Sequence, residues 1–292
     1  MSGATTVAGA LDDARRRLRA AGIEDAHREA RLLLGHAAGL DPAAIIGHPD
    51  RRLDPAAIRA MADAVSDRAR RCPMAQVTGT REFWSLPFRV TPATLDPRPD
   101  SESVISAVLD HVGDRRAPLR VLDLGTGSGC LLLALLSELP NATGLGIDIS
   151  TEAIAVAAAN AAALGLRERA RFAVADWDRA VAGRFDVIVC NPPYIPAGEI
   201  DLLAPEISLY EPRRALDGGR DGLDAYRALA PSIVRRLAGG GFAAIEIGAG
   251  QQSMVESIFA EAGLATGACV ADLTGISRSL VVGIKMELTE RT

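Results

Sequence analysis

Apolar residues recur at helical spacing over roughly the first 70 positions of the chain. In "VAGALDDARRRLRAAG", Val7, Leu11, Ala14 and Leu18 fall on one face, and Gly22 closes the run. In "EDAHREARLLLGHAAG", Ala26, Ala30, Leu33 and Leu34 share a face ahead of Gly39. "DPAAIRAMADAVSDRARR" opens with Asp54 before Pro55, a capping residue followed by a favoured first-turn proline. The pattern predicts a small helical bundle.

The period then changes. "VTGTREFWSLPFRVTPATLDPRPDSE" begins with β-branched and aromatic residues broken by Gly79 and Pro87, which predicts a short hairpin. Pro92, Pro97 and Pro99 stiffen the next stretch into a linker of defined shape. From Pro118 onward, strand and helix patterns alternate. Strands are expected at 119–124, 144–149, 171–174 and 186–190, and in "GGFAAIEIG", "ATGACVADL" and "RSLVVGIKM". Helices are expected at 129–139, 151–164, 222–237 and 252–262. Such alternation predicts an α/β fold, a seven-stranded, mostly parallel sheet with helices on both faces. The last two strands have no helix between them, so one of them runs antiparallel. The expected division is 1–74 helical, 75–115 hairpin and proline-rich linker, and 116–292 catalytic.

The first chemical motif is "VLDLGTGSGC". It follows a strand and opens a helix, and Gly125, Gly127 and Gly129 let the backbone turn tightly and approach a ligand. Ligands bind at the carboxyl ends of strands in such sheets. The dinucleotide fingerprint requires a glycine at position 130, where this chain has Cys130, and no Walker lysine follows. Asp148 lies near the end of the next strand, about 20 residues on, where an acid can accept from ribose hydroxyls. A ribose site without a full pyrophosphate fingerprint points to S-adenosylmethionine, with Thr126 and Ser128 in the same loop. Asp176 and Trp177 in "VADWD" follow a third strand. The acid suits an adenine amino group and the indole suits an adenine face, or Trp177 simply lids the core.

The second motif is Asn191-Pro192-Pro193-Tyr194, at the end of the strand "VIVC". Two prolines fix φ, remove two donors and bias Asn191 and Pro192 to extended backbone. Rigid carbonyls and the Asn191 side-chain oxygen then suit a planar –NH2 group with two hydrogens to donate. Tyr194 can stack on a flat conjugated group. This clamp orients a weakly nucleophilic nitrogen by positioning and electrostatics, and it needs no nucleophilic Ser or Cys.

Composition narrows the setting. With 48% hydrophobic and 24% charged residues among 292, the chain is of ordinary globular type. Cys72, Cys130, Cys190 and Cys269 are widely spaced, which argues against zinc or a disulfide framework and fits a reducing cytoplasm. Nothing resembles a signal peptide or a membrane span. Residues 1–90 carry 14 Arg against 11 Asp/Glu, while the remainder is net -8, a poor surface for a phosphate backbone. No role is assigned to His27, His36, His48 or His111.

Taken together, "REFWSLPFRVTPATLDPRPDSE", "VLDLGTGSGC", "GIDIS", "ADWD", "NPPYIP" and "YEPRRALDGGRDGLDAYRAL" resemble the peptide-chain-release-factor glutamine methyltransferases over nearly the whole chain. The resemblance implies a class I S-adenosylmethionine-dependent methyltransferase fold. It implies that Gly125 to Gly129, Asp148, Trp177 and Asn191 contact the cofactor, and that Asn191 to Tyr194 hold the substrate glutamine. The implied substrate is the Gln of a Gly-Gly-Gln loop on class I release factors, docked with help from the helical domain. Gln76, Asp96 and Ser101 depart from the usual residues of that family's linker. A monomer without nucleic-acid or membrane partners is expected. Competing readings are N6-adenine methylation, methylation of a ribosomal-protein glutamine, and a non-catalytic cofactor-binding protein.

Overall fold

The computed structural model describes residues 5–179, 181–272 and 274–284. In chain order the helices are α1 (Val7–Ala20), α2 (Ala26–Ala38), α3 (Pro42–Gly47), α4 (Pro55–Ala69), α5 (Met74–Thr78), α6 (Glu102–His111), α7 (Cys130–Glu138), α8 (Thr151–Ala163), α9 (Pro205–Ser208), α10 (Asp224–Arg236) and α11 (Gln252–Glu261). The strands are β1 (Thr80–Phe83), β2 (Leu86–Arg89), β3 (Arg120–Leu124), β4 (Thr143–Asp148), β5 (Ala170–Val174), β6 (Phe185–Cys190), β7 (Leu237–Glu246), β8 (Leu264–Ala271) and β9 (Ser277–Ile284). The expected last strand loses its final two positions, Lys285 and Met286, which lie outside the described residues, as does Leu273 of the strand before it.

The chain divides into two compact units. One runs to Thr80 and also takes in Ala204–Tyr210; the other holds Arg81–Leu203 and the chain from Glu211 onward. In the first unit, the apolar faces read from the sequence are buried: Val7, Leu11, Ala14 and Leu18 of α1 pack with Ala26, Ala30, Leu33 and Leu34 of α2. Asp54 caps α4 by accepting from the Ala57 N–H at 2.8 Å, and Pro55 opens the helix. The inserted segment is tied in by charge. Buried Arg68 donates to Glu29 at 2.6 Å and to Glu206 of α9 at 2.9 Å, and Arg71 adds a second bond to Glu206 at 2.9 Å.

The second unit contains the hairpin β1–β2 and a seven-stranded sheet of order β5-β4-β3-β6-β7-β9-β8. Strands β3 to β7 pair in parallel, and β9 runs antiparallel to both β7 and β8. Because the central strands are buried on both faces, their alternate residues serve two cores. Val121, Val187, Val189 and Ala244 pack under α6, α7 and α8. Leu122, Leu124, Ile188 and Ile245 pack under α10 and α11.

Helix α6 has no counterpart in the expectation of a proline-rich linker. Val104, Ile105, Ala107 and Val108 are fully or almost fully buried on the first of those cores. Their helical spacing is present in "SESVISAVLDHV" but comes directly after prolines, which mask the start of the helix.

Candidate cofactor and substrate site

Strand order decides where the motifs meet. β3 and β6 are neighbours, with Asp123 opposite Val189. The glycine loop after β3 and the Asn-Pro-Pro-Tyr turn after β6 therefore leave the same edge of the sheet side by side. β4 flanks β3 and ends at Asp148, and β5 flanks β4 and ends just before Asp176. This is the carboxyl edge at a point where the strand order reverses, the usual ligand position in an open α/β sheet.

The glycine loop is held by short bonds. The Gly125 and Thr126 N–H groups both donate to the Ile147 carbonyl at 2.8 Å. Gly125, Gly127 and Gly129 all have left-handed φ, at +77°, +54° and +81°. They serve different ends. A Cβ on Gly125 or Gly127 would point into open space, so these two leave room for a ligand above the loop. A Cβ on Gly129 would stand 3.2 Å from Ala157 and from Leu133, so that glycine serves helix packing. Below the loop, Thr126 Oγ1 donates to buried Asp123 at 2.6 Å, and burial pushes the Asp123 carboxyl up to about 7. Asp148 accepts the Gly127 N–H at 2.9 Å on one oxygen and the Ser150 N–H at 2.8 Å on the other.

A cavity of about 330 Å³ opens over this edge. Of the residues singled out in the sequence, Gly125, Thr126, Gly127, Ser128 and Asp148 line it from the β3 and β4 side. Asp176, Trp177, Asn191 and Pro193 line it from the β5 and β6 side. Gly129, Pro192 and Tyr194 do not line it. Trp177 is one of few non-glycine residues with left-handed φ, +51°, which turns its loop sharply at the end of β5.

The Asn191 side chain donates from Nδ2 to Ser101 Oγ at 2.9 Å. Its Oδ1 is thereby left as the acceptor. The Pro192 carbonyl accepts no hydrogen bond among the described residues. Tyr194 is partly buried against the α10–α11 core, its hydroxyl donates to Glu246 at 3.2 Å, and its carbonyl accepts from Gln251 at 3.0 Å. Burial raises the Tyr194 pKa, so the phenol stays protonated.

Other residues of the cavity wall carry no role in the sequence reading. Ile149, 61% exposed, is a large apolar side chain presented to the cavity directly after Asp148. Its signal was its place directly after Asp148, the acid expected at the ribose. Asp96, Arg98 and Arg214 line the wall on the linker side. Arg98 pairs with buried Glu211, and burial raises both Asp96 and Glu211, the latter to about 7. These residues sit in the "LDPRPDSE" and "EPRRALDGG" runs, where only the fold assigns them a place.

The PrmC N-terminal domain model matches residues 9–79, and the methyltransferase small domain model matches 103–219. A release factor glutamine methyltransferase of Rhodospirillum rubrum is 46% identical over 93% of this chain and 83% of its own length. The chain belongs to the release factor glutamine methyltransferase family. Enzymes of the same name from Cereibacter sphaeroides and Caulobacter vibrioides are 47% and 44% identical, each covering more than nine-tenths of both chains. Among solved structures, the catalytic domain of hMettl16 with an RNA hairpin aligns at TM-score 0.57 and 15% identity, over 78% of this chain and 84% of that one. A methyltransferase of Pyrococcus furiosus aligns at TM-score 0.51 and 17% identity, over 77% and 97%. These two share the fold of the release factor glutamine methyltransferases.

The cavity fits S-adenosylmethionine, the cofactor of that family. Gly125 and Gly127 leave space above the loop, Asp148 lines the wall with both oxygens held by backbone N–H groups, and Ile149 and Trp177 supply apolar walls.

Proposed function

We propose that this protein methylates the side-chain nitrogen (N5) of the glutamine in the Gly-Gly-Gln motif of class I peptide chain release factors. The observation that supports this reading most directly is the Asn191 amide, tethered through Nδ2 to Ser101 with its oxygen left for a substrate N–H. Asn191 Oδ1 and the Pro192 carbonyl are the two acceptors for the hydrogens of the substrate –NH2. Accepting both bonds turns the nitrogen lone pair toward the methyl donor and stabilises the positive charge that develops on it. S-adenosylmethionine, when bound, supplies the electrophilic methyl. Gly125, Thr126, Gly127 and Ser128 form its bed, Asp148 holds its ribose, and Asp176 and Trp177 face its base. Pro193 and Tyr194 complete the turn, with the Tyr194 hydroxyl anchored on Glu246.

The clamp by itself would also accept an adenine amine. The net -8 of the chain after residue 90 disfavours a nucleic acid, and the family favours glutamine. We further propose a monomer acting in the cytoplasm, in keeping with four free cysteines and with the absence of any helix long and apolar enough to cross a membrane among the described residues.

The test is direct. Incubation with a release factor and methyl-labelled cofactor should place label on that glutamine, located by peptide mass spectrometry. Label on adenine or on a ribosomal protein, with none on the release factor, would overturn the assignment.

A further inference from the structure

Glu246 is a buried carboxyl that the proposed methyl transfer uses only as an anchor for Tyr194. It ends β7, and Cys190 of β6 lies opposite Ile245, so Asn191 and Glu246 are the next residues out along two neighbouring strands. Glu246 is 1% exposed. One of its oxygens accepts from the Tyr194 hydroxyl, while the other, Oε2, has no partner among the described residues. Burial raises the Glu246 carboxyl to about 7, and the nearby Ser101 hydroxyl opposes that rise by favouring the charged form. Ser101 is buried too, and it takes the Asn191 Nδ2 bond at 2.9 Å.

With Glu246 ionised, donor and acceptor counting fixes a direction. An ionised carboxylate only accepts, and a serine hydroxyl has one proton to give. A Ser101 proton turned toward Glu246 leaves a Ser101 lone pair for the Asn191 –NH2. The Asn191 –NH2 is thus consumed on the protein side, and Oδ1 faces the cavity. In the opposite orientation, Asn191 would present –NH2 to the substrate. That face repels an amide nitrogen and suits a carboxylate.

We propose that Glu246 and Ser101 form a relay that sets the polarity of the Asn191 side-chain amide and thereby selects glutamine over glutamate. Both are positioning residues: neither touches the transferred methyl. The inference rests on the glutamine reading and deepens it.

The experiment compares wild type with S101A, S101T and E246Q. Each is given a release factor with its glutamine, and a second release factor carrying glutamate at that position. S101A and E246Q are expected to lower kcat by about 10-fold or more, with cofactor Kd moving less than about 2-fold, the pattern of a lost transition-state contact. S101T, which keeps the hydroxyl, should recover most of that loss. The glutamate-bearing release factor should bind E246Q about 5-fold tighter than wild type or more, because the side-chain amide introduced by E246Q can donate to Ser101 and reverse the relay. That gain is a readout which mere loss of folding cannot produce. Wild-type turnover in S101A, or equal losses in S101A and S101T, or no gain for the glutamate form, would each reject the relay while leaving glutamine methylation intact. No methylation by wild type would remove the substrate reading and the relay with it.

Discussion

The Gly127 backbone N–H donates to Asp148 Oδ2 at 2.9 Å, joining the glycine loop to the end of the neighbouring strand across 21 positions of sequence. With the Ser150 N–H on the other oxygen, the carboxylate is clamped from the protein side and its free lone pairs turn to the cavity. In Asp148→Asn, the amide would set an –NH2 against one of those N–H donors, leaving it unpaired. Calorimetry should show cofactor Kd raised by about 10-fold or more, roughly 1.4 kcal/mol, with an unchanged circular dichroism spectrum. Wild-type affinity in this variant would remove Asp148 from the cofactor site.

Asn191→Ala removes the proposed side-chain acceptor and leaves the prolines that shape the turn. Turnover should fall by about 100-fold or more, the size expected for a lost electrostatic contact to a reacting nitrogen, while the thermal midpoint stays near wild type. Single-turnover methyl transfer measured at saturating cofactor checks it. A variant that turns over normally would contradict the role given to Asn191.

Asp178 comes directly after Trp177 and anchors its loop to α10. Its side chain is almost fully buried, accepting from Ser232 at 2.8 Å, Arg235 at 2.7 Å and Arg236 at 2.8 Å. The Arg235 hydrogen bonds, ahead of the other causes, hold its carboxyl well below the usual carboxylate range. A folded pKa below the unfolded value means stabilisation that is complete above the unfolded value of 3.8 and lost as pH falls through the folded one. Asp178→Asn should therefore cost about 1–2 kcal/mol at pH 7, the modest figure reflecting the half-exposed Arg235. The gap to wild type should close in urea titrations below about pH 4. A gap that holds constant down to about pH 2 would show that the ion pairs are not its source.

Arg68→Ala tests the helical unit. The guanidinium is buried between Glu29 and Glu206, so its loss leaves two carboxylates without their shared cation. Breaking a buried pair from one side costs about 3 kcal/mol. Hydrogen exchange should show the Ala204–Tyr210 segment losing protection together with α2. Protection of that segment at wild-type level would mean that Arg71 on Glu206, together with Tyr210 through its hydroxyl on the Arg70 carbonyl and its own carbonyl on Gln76, holds it without Arg68.

Some of this architecture is legible along the chain. Helical periodicity marks the buried faces of α1 and α2 because burial on one side of a helix repeats every three to four residues. Short apolar runs mark β3, β6 and the end of β7 because strands buried on both faces carry few polar positions. The glycine loop, Asp148 and the Asn-Pro-Pro-Tyr turn are legible because each depends on local backbone geometry. Helix α6 is not, since the prolines ahead of it outweigh its own period.

The sequence by itself thus determines the elements, the loop chemistry and, through resemblance, the family. Only the tertiary structure decides that β3 lies beside β6, which brings the two motifs to one edge. Only it sets Ser101 against Asn191, 90 positions away, and brings Glu246 level with Asn191 on the neighbouring strand. It also assigns Ala204–Tyr210 to the helical unit rather than to its chain neighbours. The physical reason is that local pattern encodes which side chains leave water and how the backbone turns. Which strand edges pair, and which buried polar groups then find one another, depends on contacts among segments far apart in the chain.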